Sequence, residues 1–164
     1  MPVTPFHGGL GLLAKGIGPG RFSFVLFACT QVAIDMESGY YLLREEWPVH
    51  RLLHTLPGAL VVSMAVALLM RRPVERVLSW LVAGRPDLAI DPQVTHGATL
   101  TTGVLGAVCH VVPDGIMHSD VRPFAPFTDA NPWSDLIALG PLHVALVVCG
   151  VVGVGLLALR GRAS

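Results

Sequence analysis

Four apolar stretches, at about 22–43, 49–70, 93–118 and 136–159, are each long enough to cross the hydrocarbon core of a bilayer as a helix. They constrain the fold more than any other feature, because a segment in hydrocarbon must satisfy its backbone polar groups internally, which an α-helix does. The composition agrees. Of the residues, 52% are hydrophobic and 13% charged, against about 25% charged in an ordinary soluble domain. The 164 residues therefore read as a single all-α integral membrane domain with four transmembrane helices. A formal net charge of zero gives no sign of a bulk nucleic-acid binder. Cys29, Cys109 and Cys149 sit singly in apolar runs, so they read as small buried apolar residues and not as a disulfide framework.

Two shorter pieces complete the expected architecture. Residues 5–16 form a glycine-rich apolar segment too short to span, a half-helix that is interfacial or re-entrant, and Gly16-Ile-Gly-Pro-Gly20 ends it. Residues 73–83, with Pro73 in the first turn, read as an amphipathic surface helix. The first seven residues lack the basic region and cleavage site of a signal peptide. With four spans, Lys15, Arg21, Arg71, Arg72, Arg76, Arg85, Arg160 and Arg162 fall on one side. Arg44, Arg51 and Arg122 fall on the other, so the positive-inside rule puts both termini in the cytoplasm.

The same topology gathers the ionisable residues of the apolar runs. Asp35 and Glu37 lie near the end of the first span, His50 and His54 open the second, and His110, Asp114, His118 and Asp120 close the third. All of them lie on the non-cytoplasmic side. Each such group costs about 2.5–3.5 kcal/mol to insert, so together they indicate partners and a purpose. Imidazole with carboxylate suits a divalent transition metal, zinc first, with manganese or iron as alternatives. The expected ligands are His7, Asp35, His50, His54, His110, Asp114 and His118. His50 and His54 form an i, i+4 pair on a helix, and Gln31, one turn below Asp35, is its expected outer partner. His110 and His118 would be about 12 Å apart along a straight helix. Either Asp114 bridges two ions, which is the more economical reading, or Pro113 bends the helix around one. Counting back from an interfacial Lys15 puts His7 about 12 Å deep. Glu37 and Asp120, outside the ligand set, are the candidate catalytic bases. Arg51 is a candidate for binding an anionic substrate. His143 reads as a helix–helix hydrogen-bonding residue and His96 as a solvated interface residue.

His50-Arg-Leu-Leu-His54-Thr opening one span, and His110-x3-Asp114-x3-His118 closing a later one, resemble the inner-membrane-associated metal-dependent hydrolases of bacteria, a family also labelled LexA-binding. Thr-Pro-Phe-His7 and Asp35 match it too, and the resemblance covers roughly residues 4–135. Pro113 stands where that family is expected to carry an apolar helix former. The resemblance implies a small helical protein of the bacterial inner membrane with metal-dependent hydrolase activity. The expectation is then a membrane-embedded hydrolase in which one or two metal ions activate water against an ester or phosphoester. A site at membrane depth suggests a lipid-linked substrate, with a small molecule as the other option. The competing classes are a metal-binding transporter or sensor, and a structural membrane protein with a polar histidine/aspartate core. The inner half of the chain carries few polar groups, mainly Thr95, His96, Thr101 and Thr102, which favours a one-sided site over a conducting path.

Overall fold

Every element of the computed structural model is helical, and residues 6–85 and 91–161 are described; Thr4, Pro5 and Arg162 lie outside the described residues. The order is α1 (His7–Ile17), α2 (Phe24–Leu43), a short 3-10 turn (Leu52–His54), α3 (Leu56–Ala83), α4 (His96–Met117) and α5 (Leu139–Gly161). Three of these, α3, α4 and α5, are long and apolar enough to cross a membrane. The first expected span is not among them, because Gln31, Asp35 and Glu37 interrupt the apolar run of α2. The distribution of these residues is nevertheless inside-out. Thr30, Gln31, Asp35 and Ser38 are buried, while Val25, Val32, Met36 and Tyr40 face outward.

α4 is the central helix. Its buried face is built from small residues, Ala98, Gly103, Gly106 and Ala107 among them, with His110 and Asp114 above. Gly106 lets α2 and α3 approach closely: a Cβ there would meet Thr30 and Ser63. Two apolar clusters fill the bundle, Ile34 with Ala59, Ala107 and Val111 beside His110, and Leu26 with Val74, Val94 and Ala98 nearer the start of α4.

Two boundaries differ from the sequence expectation. The second span begins at Leu56, seven residues after Val49, because the Thr55 side chain accepts from Gly58 N at 3.0 Å and Pro57 sits in the first turn. His50 and His54 therefore precede the helix, and the expected helical pair does not form. The expected surface helix at 73–83 is instead the continuation of α3, which runs 28 residues straight through Pro73. Proline removes one backbone donor and strains one turn. Here Val74 is buried against Leu26, Val94 and Ala98, and Glu75 binds Arg71 Nε and Val94 N, so packing on both sides of the proline carries the helix on.

α1 is the expected half-helix, and it lies parallel to α5. Gly9 faces Leu146 and Gly16 faces Gly153, and a side chain at Gly9 or Gly153 would collide with the opposing backbone. Arg160 Nη1 donates to Ile17 O at 3.1 Å at one end, and Phe6 stacks on His143 at 4.3 Å at the other. This docking delivers His7 to the middle of the bundle. The segment between α4 and α5 folds back over the bundle end. Pro123 O accepts from Leu56 N at 2.8 Å, Asn131 Nδ2 donates to Gly115 O at 2.8 Å, and Trp133 packs on Phe124.

Candidate metal centre

Four ligand atoms from α2, the 3-10 turn and α4 converge in the buried layer. Asp35, His54, His110 and Asp114 each offer one atom, all within 4.8 Å of one another. His110 Nε2 lies 3.1 Å from Asp114 Oδ2 and 3.4 Å from Asp35 Oδ1. His54 Nε2 lies 3.7 Å and 4.0 Å from the same two oxygens. A tetrahedral zinc with bonds near 2.0–2.1 Å separates its ligand atoms by about 3.3–3.5 Å, and these distances bracket that value.

The outer contacts decide which ring nitrogen faces inward. Gln31 Nε2 donates to Gly106 O at 3.0 Å, so its Oε1, 3.0 Å from His110 Nδ1, accepts a proton from that nitrogen. Glu37 Oε2 sits 3.0 Å from His54 Nδ1 and holds that ring in the same tautomer. Both Nε2 atoms are left as inward lone pairs. Each is buried and makes no hydrogen bond, despite carboxylate oxygens 3.1–4.0 Å away. Two lone pairs facing two carboxylates repel unless a cation, either a metal ion or a proton taken up by the ring, lies between them. The residues present thus fit a divalent ion with two nitrogen and two oxygen ligands. Gln31 was expected beside Asp35; it is instead the partner of His110.

The remaining expected ligands divide between two places. His7 stands on the far side of Asp114, with its Nε2 3.2 Å from Oδ1 and its ring stacked on that of His110 at 4.7 Å. His50 and His118 lie apart from the inner four and form a second group with Asp120. Their rings stack at 4.5 Å, and the His50 ring meets that of His54 edge-on at 4.6 Å. Asp114 falls in the inner group and not in this outer one. His118 caps the C-terminus of α4, one residue beyond the helix. Burial, and then the neighbouring His54, holds the His50 imidazole below its ordinary value. Burial and then His50 do the same to His118.

Both carboxylates expected as bases are engaged. Glu37 accepts from Arg51 N at 2.9 Å and from Leu53 N at 3.0 Å as well as from His54. Asp120 accepts from Val49 N and His50 N, and its Oδ1 lies 2.9 Å from His50 Nδ1. Burial pushes the Asp120 carboxyl up, but these bonds outweigh it and hold the group below its ordinary value. Each carboxylate thus shapes the 49–54 segment and aims a histidine. Nothing in the spacing could reveal this, because the bonds join residues 14 to 71 positions apart.

Arg51 and His50 line a cleft of about 650 Å³ on the bundle end, with Trp47, Leu52, Arg122 and Pro126 around them. The Arg51 guanidinium lies over the Tyr41 ring at 3.5 Å, donates from Nε to Pro48 O at 2.8 Å and reaches Glu46 at 3.3 Å. Comparison with family models, with curated proteins and with solved structures gave no match.

Proposed function

We propose that the chain is a membrane-embedded metal-dependent hydrolase acting on an ester or phosphoester, with zinc as the first choice of metal. The observation that carries the reading is the pair of buried Nε2 lone pairs on His54 and His110 aimed at Asp35 and Asp114. The resemblance noted for His50 to Thr55 and His110 to His118 points the same way. A divalent ion held by Asp35, His54, His110 and Asp114 would supply Lewis acidity to a water or ester oxygen that it takes as a further ligand. The protein's own contribution is orientation. Gln31 and Glu37 fix two rings, His7 fixes Asp114 from its other oxygen, and the apolar cluster of Ile34, Ala59, Ala107 and Val111 packs beside the ligand set. His50 connects the cleft to the inner set, since it lines the cleft and touches the His54 ring.

In this reading α2 is the fourth span. Its outward Val25, Val32, Met36 and Tyr40 meet lipid, while its carboxylates are satisfied inside. The basic residues at the opposite end, Lys15, Arg71, Arg72, Arg76 and Arg160, support a cytoplasmic location for that end in a bacterial inner membrane, by the positive-inside rule. Hydrolysis of chromogenic phosphoesters and carboxylesters by the zinc-loaded protein, absent from the metal-stripped protein and from His110→Ala, tests the reading. No turnover of any ester by fully loaded protein would sink it. A second reading, metal binding without chemistry as in a sensor or transporter, draws on one observation: His54 and His110 have no exposed surface at all.

A further inference from the structure

We infer that the cleft at the bundle end holds the phosphate of a lipid headgroup, which would make the substrate of the proposed hydrolase a phospholipid-like amphiphile. The inference rests on that reading for its catalytic meaning but not for its binding. Two guanidinium groups, Arg51 and Arg122, line the cleft, each paired with one carboxylate at a solvent-accessible position, Glu46 at 3.3 Å and Asp129 at 3.1 Å. Arg51 is preorganised: Tyr41 beneath it and Pro48 O at its Nε fix the planar fork, which loses little freedom on gripping an oxyanion. Arg122 is paired with Asp129 at 3.1 Å, but both are more than half exposed, and a pair of that kind exchanges readily for a stronger anion. Two forked cations are the recognition chemistry of phosphate.

The rim identifies the rest of the ligand. Trp47, Leu52 and Phe127 are 71%, 67% and 86% exposed around this end of the bundle. Exposed apolar and aromatic residues ringing a basic cleft at helix ends match the headgroup level of a bilayer, with acyl chains below. A soluble phosphate would make no use of them. The cleft is also wired to the metal site. Arg51 N and His54 Nδ1 share the same oxygen of Glu37, so the cation that grips the headgroup and the ring that faces the metal are set by one carboxylate.

Native mass spectrometry of the protein in maltoside micelles tests this without any turnover. The probes are phosphatidic acid, diacylglycerol with the same chains, and inorganic phosphate. Retained phosphatidic acid, little diacylglycerol and only weak competition by inorganic phosphate are expected. The Arg51→Gln, Arg122→Gln variant should bind phosphatidic acid at least about tenfold more weakly. Arg122→Gln alone, which touches only an exposed pair, should lose several-fold with the fold intact. Arg76→Gln, at the opposite end, should match wild type. Equal retention of diacylglycerol, displacement by equimolar inorganic phosphate, or undiminished binding in the double variant would each overturn the inference. Binding with no hydrolysis would uphold the cleft while removing the enzyme.

Discussion

Glu37→Gln separates the two roles that a carboxylate beside this site can play. Three donors converge on Glu37: Arg51 N and His54 Nδ1 on Oε2, and Leu53 N on both oxygens, all at 2.9–3.0 Å. Glutamine keeps the shape but offers one oxygen, so at least one of the three donors must face an amide N–H. Leaving a buried donor unsatisfied costs about 1–3 kcal/mol. If the loss falls on His54, its ring is free to rotate or change tautomer, and Nε2 is no longer fixed toward Asp35 and Asp114. Removing an outer partner of a metal-bound histidine typically weakens the metal about 10–100-fold, or about 1.4–2.7 kcal/mol. Competition titration of the detergent-purified protein against a chromophoric chelator measures this directly. A base that takes a proton in the chemical step would behave differently, with metal affinity intact and turnover lost. Zinc affinity within twofold of wild type in Glu37→Gln would therefore refute the positioning role and restore Glu37 as a candidate base.

Other expectations follow from the same geometry. Gly9→Val forces a side chain into the Leu146 backbone, so α1 should lift from α5 at a cost of about 1–3 kcal/mol in thermal unfolding. It should also weaken metal binding by withdrawing His7 from Asp114. Asn131→Ala removes the bond to Gly115 O and the acceptor for Trp133 N, so the segment between α4 and α5 should be cut faster by protease while α3 to α5 stay protected. Acidification should release the metal, because protons compete for the inward Nε2 atoms, and binding should be restored on return to neutral pH. An affinity independent of pH between 7 and 5 would argue against imidazole ligands.

Much of the fold is legible in the sequence because the helices are read from long apolar runs, and α4 and α5 lie within three residues of where hydropathy puts them. The gathering of Asp35, His54, His110 and Asp114 is legible for a topological reason. Helices that alternate in direction bring the end of one, the start of the next and the end of the third to one side. What stays hidden depends on tertiary contacts. The start of α3 is set by the Thr55 cap, so spacing alone wrongly makes a helical pair of His50 and His54. Pro73 looks like a helix start until Val74 is seen to be buried. Glu37 and Asp120 look like free bases until their backbone donors arrive from the connector at 49–53. α2 falls short as an apolar helix for the same reason that it matters, since the residues that lower its hydropathy are those it presents to the site.

The most direct measurement is elemental analysis of the detergent-purified protein beside a His54→Ala, Asp114→Ala variant, each after equilibration with zinc, manganese and iron. About one equivalent of tightly held divalent metal per chain, zinc before the others, is expected in the wild type and none in the variant. Metal absent from both would contradict the centre itself, and metal present equally in both would place it somewhere other than between Asp35, His54, His110 and Asp114.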